Sequence, residues 1–240
     1  MKRNILLIQF REDFKTAKHE SRCFLSAIKN TSNIHVINAF SEKDSLAKTP
    51  SVKFDGIILA GSGIFSFSKE KANPLLKNKV KKTIPWVKNA IKNKVPILRV
   101  CLGNKYIAKM LGSKITRDAR QKEIGTFQIN LSSAGEADPL FSGLPKAFQV
   151  QQGHQDSIES LPKTCTLLAY GKRCKIQSFK VKKENIYGVQ FHPEMDKKDS
   201  EERLKLSEGY VLNSEFAPSP LAKMVLTNFV RIINQKKLNK

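Results

Sequence analysis

Short, continuous apolar runs alternate along this chain with longer stretches whose apolar residues recur every three or four positions. Runs at residues 4–10, 34–40, 54–60 and 95–100 are rich in Val, Ile and Phe, and unbroken runs of that length predict strands buried on both faces. Between them, residues 14–29 bring Phe24, Leu25 and Ile28 to one side of a helix. Residues 85–94 open with Pro85, which fits a first helical turn, and set Trp86, Ala90 and Ile91 inward. Strands alternating with helices predict an α/β fold: a mostly parallel sheet with helices on both faces.

Beyond Gly112 the period changes. Short strands at residues 125–131, 148–152, 166–170, 176–181 and 186–191 are punctuated by Gly, Pro and Asp, which predicts antiparallel strands added to the parallel core. The charged stretch 197–208 predicts a short exposed helix. Ser219 and Pro220, a cap and first-turn pair, open an amphipathic helix through Leu221, Val225, Phe229 and Ile232. With 240 residues and no internal repeat or linker, a single domain over 1–240 is expected.

The pattern also singles out three places where chemistry is expected. The run ending at Val100 breaks at Cys101 into Leu102-Gly103 and a helical pattern. A strand that turns abruptly into a helix lifts the side chain at the turn clear of the sheet and aims unpaired helix N–H groups toward it. The strand-like Ile186-Tyr-Gly-Val-Gln-Phe-His-Pro-Glu ends with His192 and Glu194 two positions apart, facing the same way if the backbone stays extended, as Pro193 favours. A thiol is mostly protonated at neutral pH and needs such a base, held by a third group. The strand at 54–60 runs into Gly61-Ser62-Gly63, at the same sheet edge as Cys101. There the backbone N–H groups of Leu102 and of Ser62 or Gly63 are candidate donors to an oxyanion.

Composition narrows the setting. Cys23, Cys165 and Cys174 read as small buried hydrophobes, and the four cysteines form no C-x-x-C pair, so neither a disulfide framework nor a metal site is expected. No apolar run reaches eighteen residues and no cleavage-site pattern follows Met1, so a cytoplasmic protein with no membrane partner is expected. Forty-three Lys and Arg against 21 Asp and Glu leave a formal charge of +22. The lysines lack the interleaved aromatics of a nucleic-acid platform, and a solvated basic surface that steers acidic ligands is the preferred reading.

The order Leu-Ala-Gly61-Ser-Gly, then Pro-Ile-Leu-Arg-Val-Cys101-Leu-Gly, then Tyr-Gly-Val-Gln-Phe-His192-Pro-Glu resembles the class I glutamine amidotransferase family. Glu123-Ile-Gly-Thr-Phe, Asp138-Pro-Leu-Phe-Ser-Gly-Leu-Pro, Gly153-His-Gln-Asp and Cys174-Lys-Ile-Gln-Ser-Phe resemble its stand-alone branch, related to the amidotransferase domain of GMP synthase. The resemblance implies a flavodoxin-like fold and a catalytic triad of Cys101, His192 and Glu194. It also implies an oxyanion hole from Ser62 and Leu102 and substrate contacts from Gly153, His154 and Gln155; Gly61, Gly63 and Lys105 are further candidate substrate contacts. The implied function is hydrolysis of the γ-amide of glutamine without a cofactor, with ammonia passed to a separate synthase. The chain departs from the family at Arg99, where Gly is usual, and at Asn104-Lys105, where His or Met is followed by Gln. Those departures keep open a stand-alone γ-glutamyl peptidase or amidase, or a catalytically altered binding protein with a basic surface.

Overall fold

The computed structural model describes residues 2–41, 53–62, 74–206 and 215–238. Its first half alternates strands β1 (Arg3–Gln9), β2 (Ser32–Asn38), β3 (Gly56–Leu59) and β4 (Ile97–Val100) with helices α1 (Phe14–Ile28), α2 (Pro74–Lys81), α3 (Ile84–Lys92) and α4 (Leu102–Met110). Asp13 starts α1, accepting a hydrogen bond from the Thr16 amide at 2.6 Å, so one orphan N–H of the first turn is satisfied. The second half holds strands β5 (Ile115–Thr116), β6 (Glu123–Leu131), β7 (Ala147–His154), β8 (Ser157–Ile158), β9 (Cys165–Gly171), β10 (Ser178–Val181) and β11 (Ile186–Val189), with the one-turn helix α5 (Ser133–Glu136). Helices α6 (Lys197–Leu206) and α7 (Met224–Leu238) follow.

Nine of these strands form one sheet in the order β2-β1-β3-β4-β11-β10-β9-β6-β7, while β5 and β8 pair separately. The strands from β2 to β11 are parallel, and β10, β9, β6 and β7 extend the sheet antiparallel. Alternation along β1 sorts the two layers: Ile5 and Leu7 pack with Phe24 and Ile28 of α1 and Val225 and Phe229 of α7. Leu6 and Ile8 pack with Val80 of α2, Val87 and Ala90 of α3, and Leu102 and Ile107 of α4. Both faces are thus covered, as the unbroken apolar runs require. The fold is the expected α/β arrangement with antiparallel additions.

The details differ from the pattern reading in several places, among them Leu25, Ile91 and Leu221, which are exposed and not turned inward. Helix α2 was not expected, because its lysines mask the apolar period. Ser219 does not cap the last helix: its hydroxyl accepts from Gln151 Nε2 at 2.8 Å, and a 3-10 turn over Pro220–Lys223 precedes α7. Helix α6 is not wholly exposed, since Ser200 and Arg203 are buried.

Candidate active site

Four parallel strands, β1, β3, β4 and β11, end at one edge of the sheet, where open α/β sheets place ligands. At the end of β4, Cys101 still donates its amide to Val189 O at 2.9 Å. Its backbone then turns sharply, at φ 50 and ψ −95, and α4 begins with the next residue. A non-glycine residue at positive φ costs on the order of 1–3 kcal/mol, and such strain persists where the fold overdetermines it, often at active sites. The helix starts close against β3: a Cβ on Gly103 would stand 2.7 Å from Leu59 O, so only glycine fits there. The Leu102 amide belongs to the first turn of α4, whose N–H groups have no partner within the helix.

Past the end of β11, His192 and Glu194 meet across a turn rather than along an extended strand. Met195 N donates to His192 O at 3.3 Å, which closes the turn through Pro193. His192 Nδ1 lies 2.8 Å from Glu194 Oε1, which leaves Nε2 clear of Glu194, and the ring and the Cys101 thiol are near enough for each to shift the other's pKa. All three side chains are buried. The sequence places Cys101 far from the other two, and parallel pairing of β4 with β11 closes that distance.

The electrostatics favour an ion pair. Burial by itself would raise the Cys101 pKa, but the Lys105 ammonium, the hydrogen bond and charge of His192, and Arg11 bring it down to about 6. Burial by itself would lower that of His192, but Glu194 and Cys101 raise it to about 9. Lys105 Nζ is 3.7 Å from Cys101 Sγ, and Gln190 Nε2 is 3.8 Å from it. Lys105 is therefore a neighbour of the sulfur.

Of the other residues expected at the site, Gly61 and Gly153 come close to the histidine. Added Cβ atoms would lie 3.3 Å from His192 Cε1 and 3.8 Å from His192 Nε2, respectively. Ser62 and Gly153 line the cleft, while Gly63 lies outside the described residues. His154 and Gln155 turn elsewhere: His154 Nε2 meets Glu123 Oε2 at 3.1 Å and its Nδ1 faces Asp156 O at 3.1 Å. Gln155 Oε1 accepts from Arg117. Arg99, fully buried, leaves the cleft untouched: its Nε donates to Tyr187 O at 2.9 Å and its guanidinium lies over Phe179, 5.2 Å from the ring centroid. Asn104 occupies the space left by Gly188, where a Cβ would stand 2.0 Å from Asn104 Oδ1.

A cleft that His192 reaches is lined also by Arg11, Ser62, Gln152, Gly153 and Arg203, with an apolar wall from Ile124, Met195, Leu204 and Phe216. Sequence reasoning missed Arg11, Arg203 and their shared partner Glu20. Single charges among 43 basic residues carry no local signal; only their burial marks them. Among the described residues, two groups bring potential metal ligands together, His19 with Cys23 and Asp199, and Glu123 with His154 and Cys174. In each the histidine already has hydrogen-bond partners and a cation acts on it, Arg203 on His19 and Lys105 on His154, so neither group suits a metal ion.

Residues 17–207 match the family model described as Glutamine amidotransferase class-I. The chain is 34% identical over 194 residues to "GMP synthase [glutamine-hydrolyzing]" of Borreliella burgdorferi, a match covering 81% of this chain and 31% of that protein. It is 38% identical over 96 residues to a glutamine-hydrolyzing GMP synthase subunit of Pyrococcus abyssi, covering 40% of this chain and 49% of that protein. The chain thus spans between about a third and a half of these relatives. A glutamine amidotransferase of Thermotoga maritima shares its fold with a TM-score of 0.71 at 20% identity, covering 97% of this chain and 98% of that one.

Proposed function

Because the chain belongs to the class-I glutamine amidotransferase family, we propose that it hydrolyses the γ-amide of glutamine through a thioester on Cys101. The observation that carries this reading is the strained turn at Cys101 facing a histidine whose other nitrogen is held 2.8 Å from a buried carboxylate.

The sulfur, as thiolate, attacks the γ-carbonyl carbon, forming a C–S bond and an oxyanion. The Leu102 and Ser62 amides receive that oxyanion, and such preorganised donors contribute on the order of 10²–10³ in rate each. His192, protonated on Nε2, gives its proton to the departing nitrogen as the C–N bond breaks, releasing ammonia and leaving a γ-glutamyl thioester. Water then attacks, His192 takes its proton, and the C–S bond breaks to release glutamate and regenerate the thiolate. Glu194 holds the Nδ1 hydrogen and so keeps Nε2 in use. Gly61 and Gly153 let the substrate approach the ring, and Lys105 supports the thiolate from behind.

The names of the relatives support a separate synthase as the acceptor of ammonia, and a thiolate nucleophile fits a reducing cytoplasmic setting. Among the described residues no helix is long and apolar enough to cross a membrane. The test is release of glutamate and ammonia from glutamine, with mass spectrometry locating the bound group after treatment with a glutamine-shaped chloroketone. Modification at Cys101 and turnover abolished in Cys101→Ser are expected; turnover retained in that variant overturns the assignment.

A further inference from the structure

Behind the strand-to-helix turn a buried cation stands without a counter-charge. Leu98 and Val100 of β4 pack with α1 and α7, so Arg99 between them faces the other side of the sheet, the side that α4 covers. Arg99 is 0% exposed, and its Nε donates to Tyr187 O at 2.9 Å. Nη1 and Nη2 meet no acceptor among the described residues. The Phe179 ring, its centroid 5.2 Å from Cζ, attracts the charge through its face without neutralising it. Among the described residues no carboxylate acts on the guanidinium. The titratable group that does is the Cys165 thiol, which is uncharged at neutral pH because burial raises its pKa. Burial lowers the Arg99 pKa to about 9, which still leaves the group charged at neutral pH. The surroundings are apolar, since Phe179 packs with Ala108, Ile158, Cys165 and Ile176. A charge enclosed in this way is costly unless an opposite charge meets it, and water supplies hydrogen bonds but no charge.

A second side chain comes to the same place. Asn104, in the first turn of α4 and also 0% exposed, has both Nδ2 and Oδ1 without a partner among the described residues. Its amide fills the position that a Cβ on Gly188 would take, and Phe179 Cε1 is 2.9 Å from that position. Gly188 pairs with Arg99 across β4 and β11 and with Phe179 across β10 and β11. Guanidinium, ring and amide therefore gather over one glycine. Lys105, the next residue, is directed at the Cys101 sulfur instead. The unused donors, the single positive charge and the apolar walls select a small anion of one negative charge. A phosphate brings more charge than one guanidinium balances, and a carboxylate brings a carbon skeleton into a spot closed to solvent. We propose that Arg99 and Asn104 hold a halide-sized monovalent anion, of the class of chloride, between β4 and the start of α4. Asn104 gives it Nδ2 and leaves Oδ1 to a guanidinium hydrogen. The anion ties strand to helix at the base of the Cys101 turn, and stability becomes linked to its concentration. Arg99 and Asn104 are two of the positions at which this chain departs from the family pattern, so the site belongs to this chain and does not depend on the reaction assigned to Cys101.

The experiment is equilibrium unfolding of the full chain in urea at constant ionic strength, with chloride replacing gluconate, an anion too large for the spot. Because the chain opens and closes at equilibrium, burial does not bar the ion from entering. The unfolding equilibrium constant should fall along a saturating curve, by about 100-fold once chloride reaches about 100 times its dissociation constant. Arg99→Met keeps most of the bulk and removes the charge, and it should lose the saturable part. Asn104→Leu should weaken the anion without abolishing its effect. Crystals of the unaltered protein grown in bromide should show an anomalous-scattering peak within hydrogen-bond reach of Arg99 Nη1 or Nη2 and Asn104 Nδ2, a readout that needs no variant to fold. A chloride response that does not saturate, or one that persists unchanged in Arg99→Met, overturns the proposal. Bromide found only against surface lysines, or water alone beside Arg99, overturns it as well.

Discussion

Among the described residues two buried histidines each face a buried glutamate, yet only one of them is placed for the proton transfer proposed above. His154 and Glu123 are 3.1 Å apart, and His192 and Glu194 are 2.8 Å apart. His154 uses both ring nitrogens on the protein, one for Glu123 and one for Asp156 O. Burial and the nearby Lys105 keep its pKa below the ordinary value, and Glu123 is also engaged by Gln177 Nε2 at 2.7 Å. His192 uses one nitrogen for Glu194 and turns the other to the thiol, and that pair of partners raises its pKa to about 9. A histidine beside a carboxylate is therefore a structural bolt or a base according to what its second nitrogen meets. Chain order puts both kinds of pair near strand ends, and composition does not separate them.

The largest effect that sharpens this contrast is expected from Cys101→Ser, which should lower turnover of glutamine by roughly 10⁴-fold or more while the protein stays folded. Circular dichroism alongside an ammonia assay checks both parts. Next, Glu194→Gln should lower kcat on the order of 10²-fold, because the ring loses its oriented hydrogen while the sulfur stays in place. A loss exceeding that of His192→Ala would reverse the roles assigned to base and positioning group.

A smaller effect is expected in the pH profile. Cys101 is lowered and His192 raised, so the reactive ion pair exists between about 6 and about 9. Alkylation by iodoacetamide should fall as pH drops through about 6, where the thiolate takes up a proton. Turnover should fall above about 9, where His192 loses the proton that the leaving nitrogen needs. Lys105→Gln should move the acid limb upward, since the ammonium 3.7 Å from the sulfur is removed; an unmoved limb would deny Lys105 any hold on the thiolate. The smallest effect on chemistry is expected from His154→Asn. It should cost about 1–3 kcal/mol of stability by leaving buried partners unmet, read by denaturant unfolding, and change kcat less than tenfold. A kcat loss matching that of His192→Ala would erase the distinction between the two histidines.

The elbow was legible in the sequence because it is local: an apolar run, one cysteine, then Leu-Gly and a helical period. The His-Pro-Glu segment was legible for the same reason, although the side chains meet across a turn and not by strand alternation. The cleft wall was not legible. Arg11, Glu20 and Arg203 belong to the loop after β1, to α1 and to α6, and each reads on its own as an ordinary solvated charge. Arg99 and Lys105 were visible as departures, but not which way they point. The first passes under Tyr187 and Phe179, and the second approaches the sulfur.

The sequence by itself determined the α/β class and marked the proposed nucleophile and the segment carrying its proposed base, because strand and helix periods and a strand-to-helix break are properties of neighbouring residues. Only the tertiary structure decided which charges share the site. Pairing β4 with β11 and docking α6 on α1 bring into hydrogen-bond contact residues as far as 184 positions apart, and burial then makes each of those charges depend on the partners it meets.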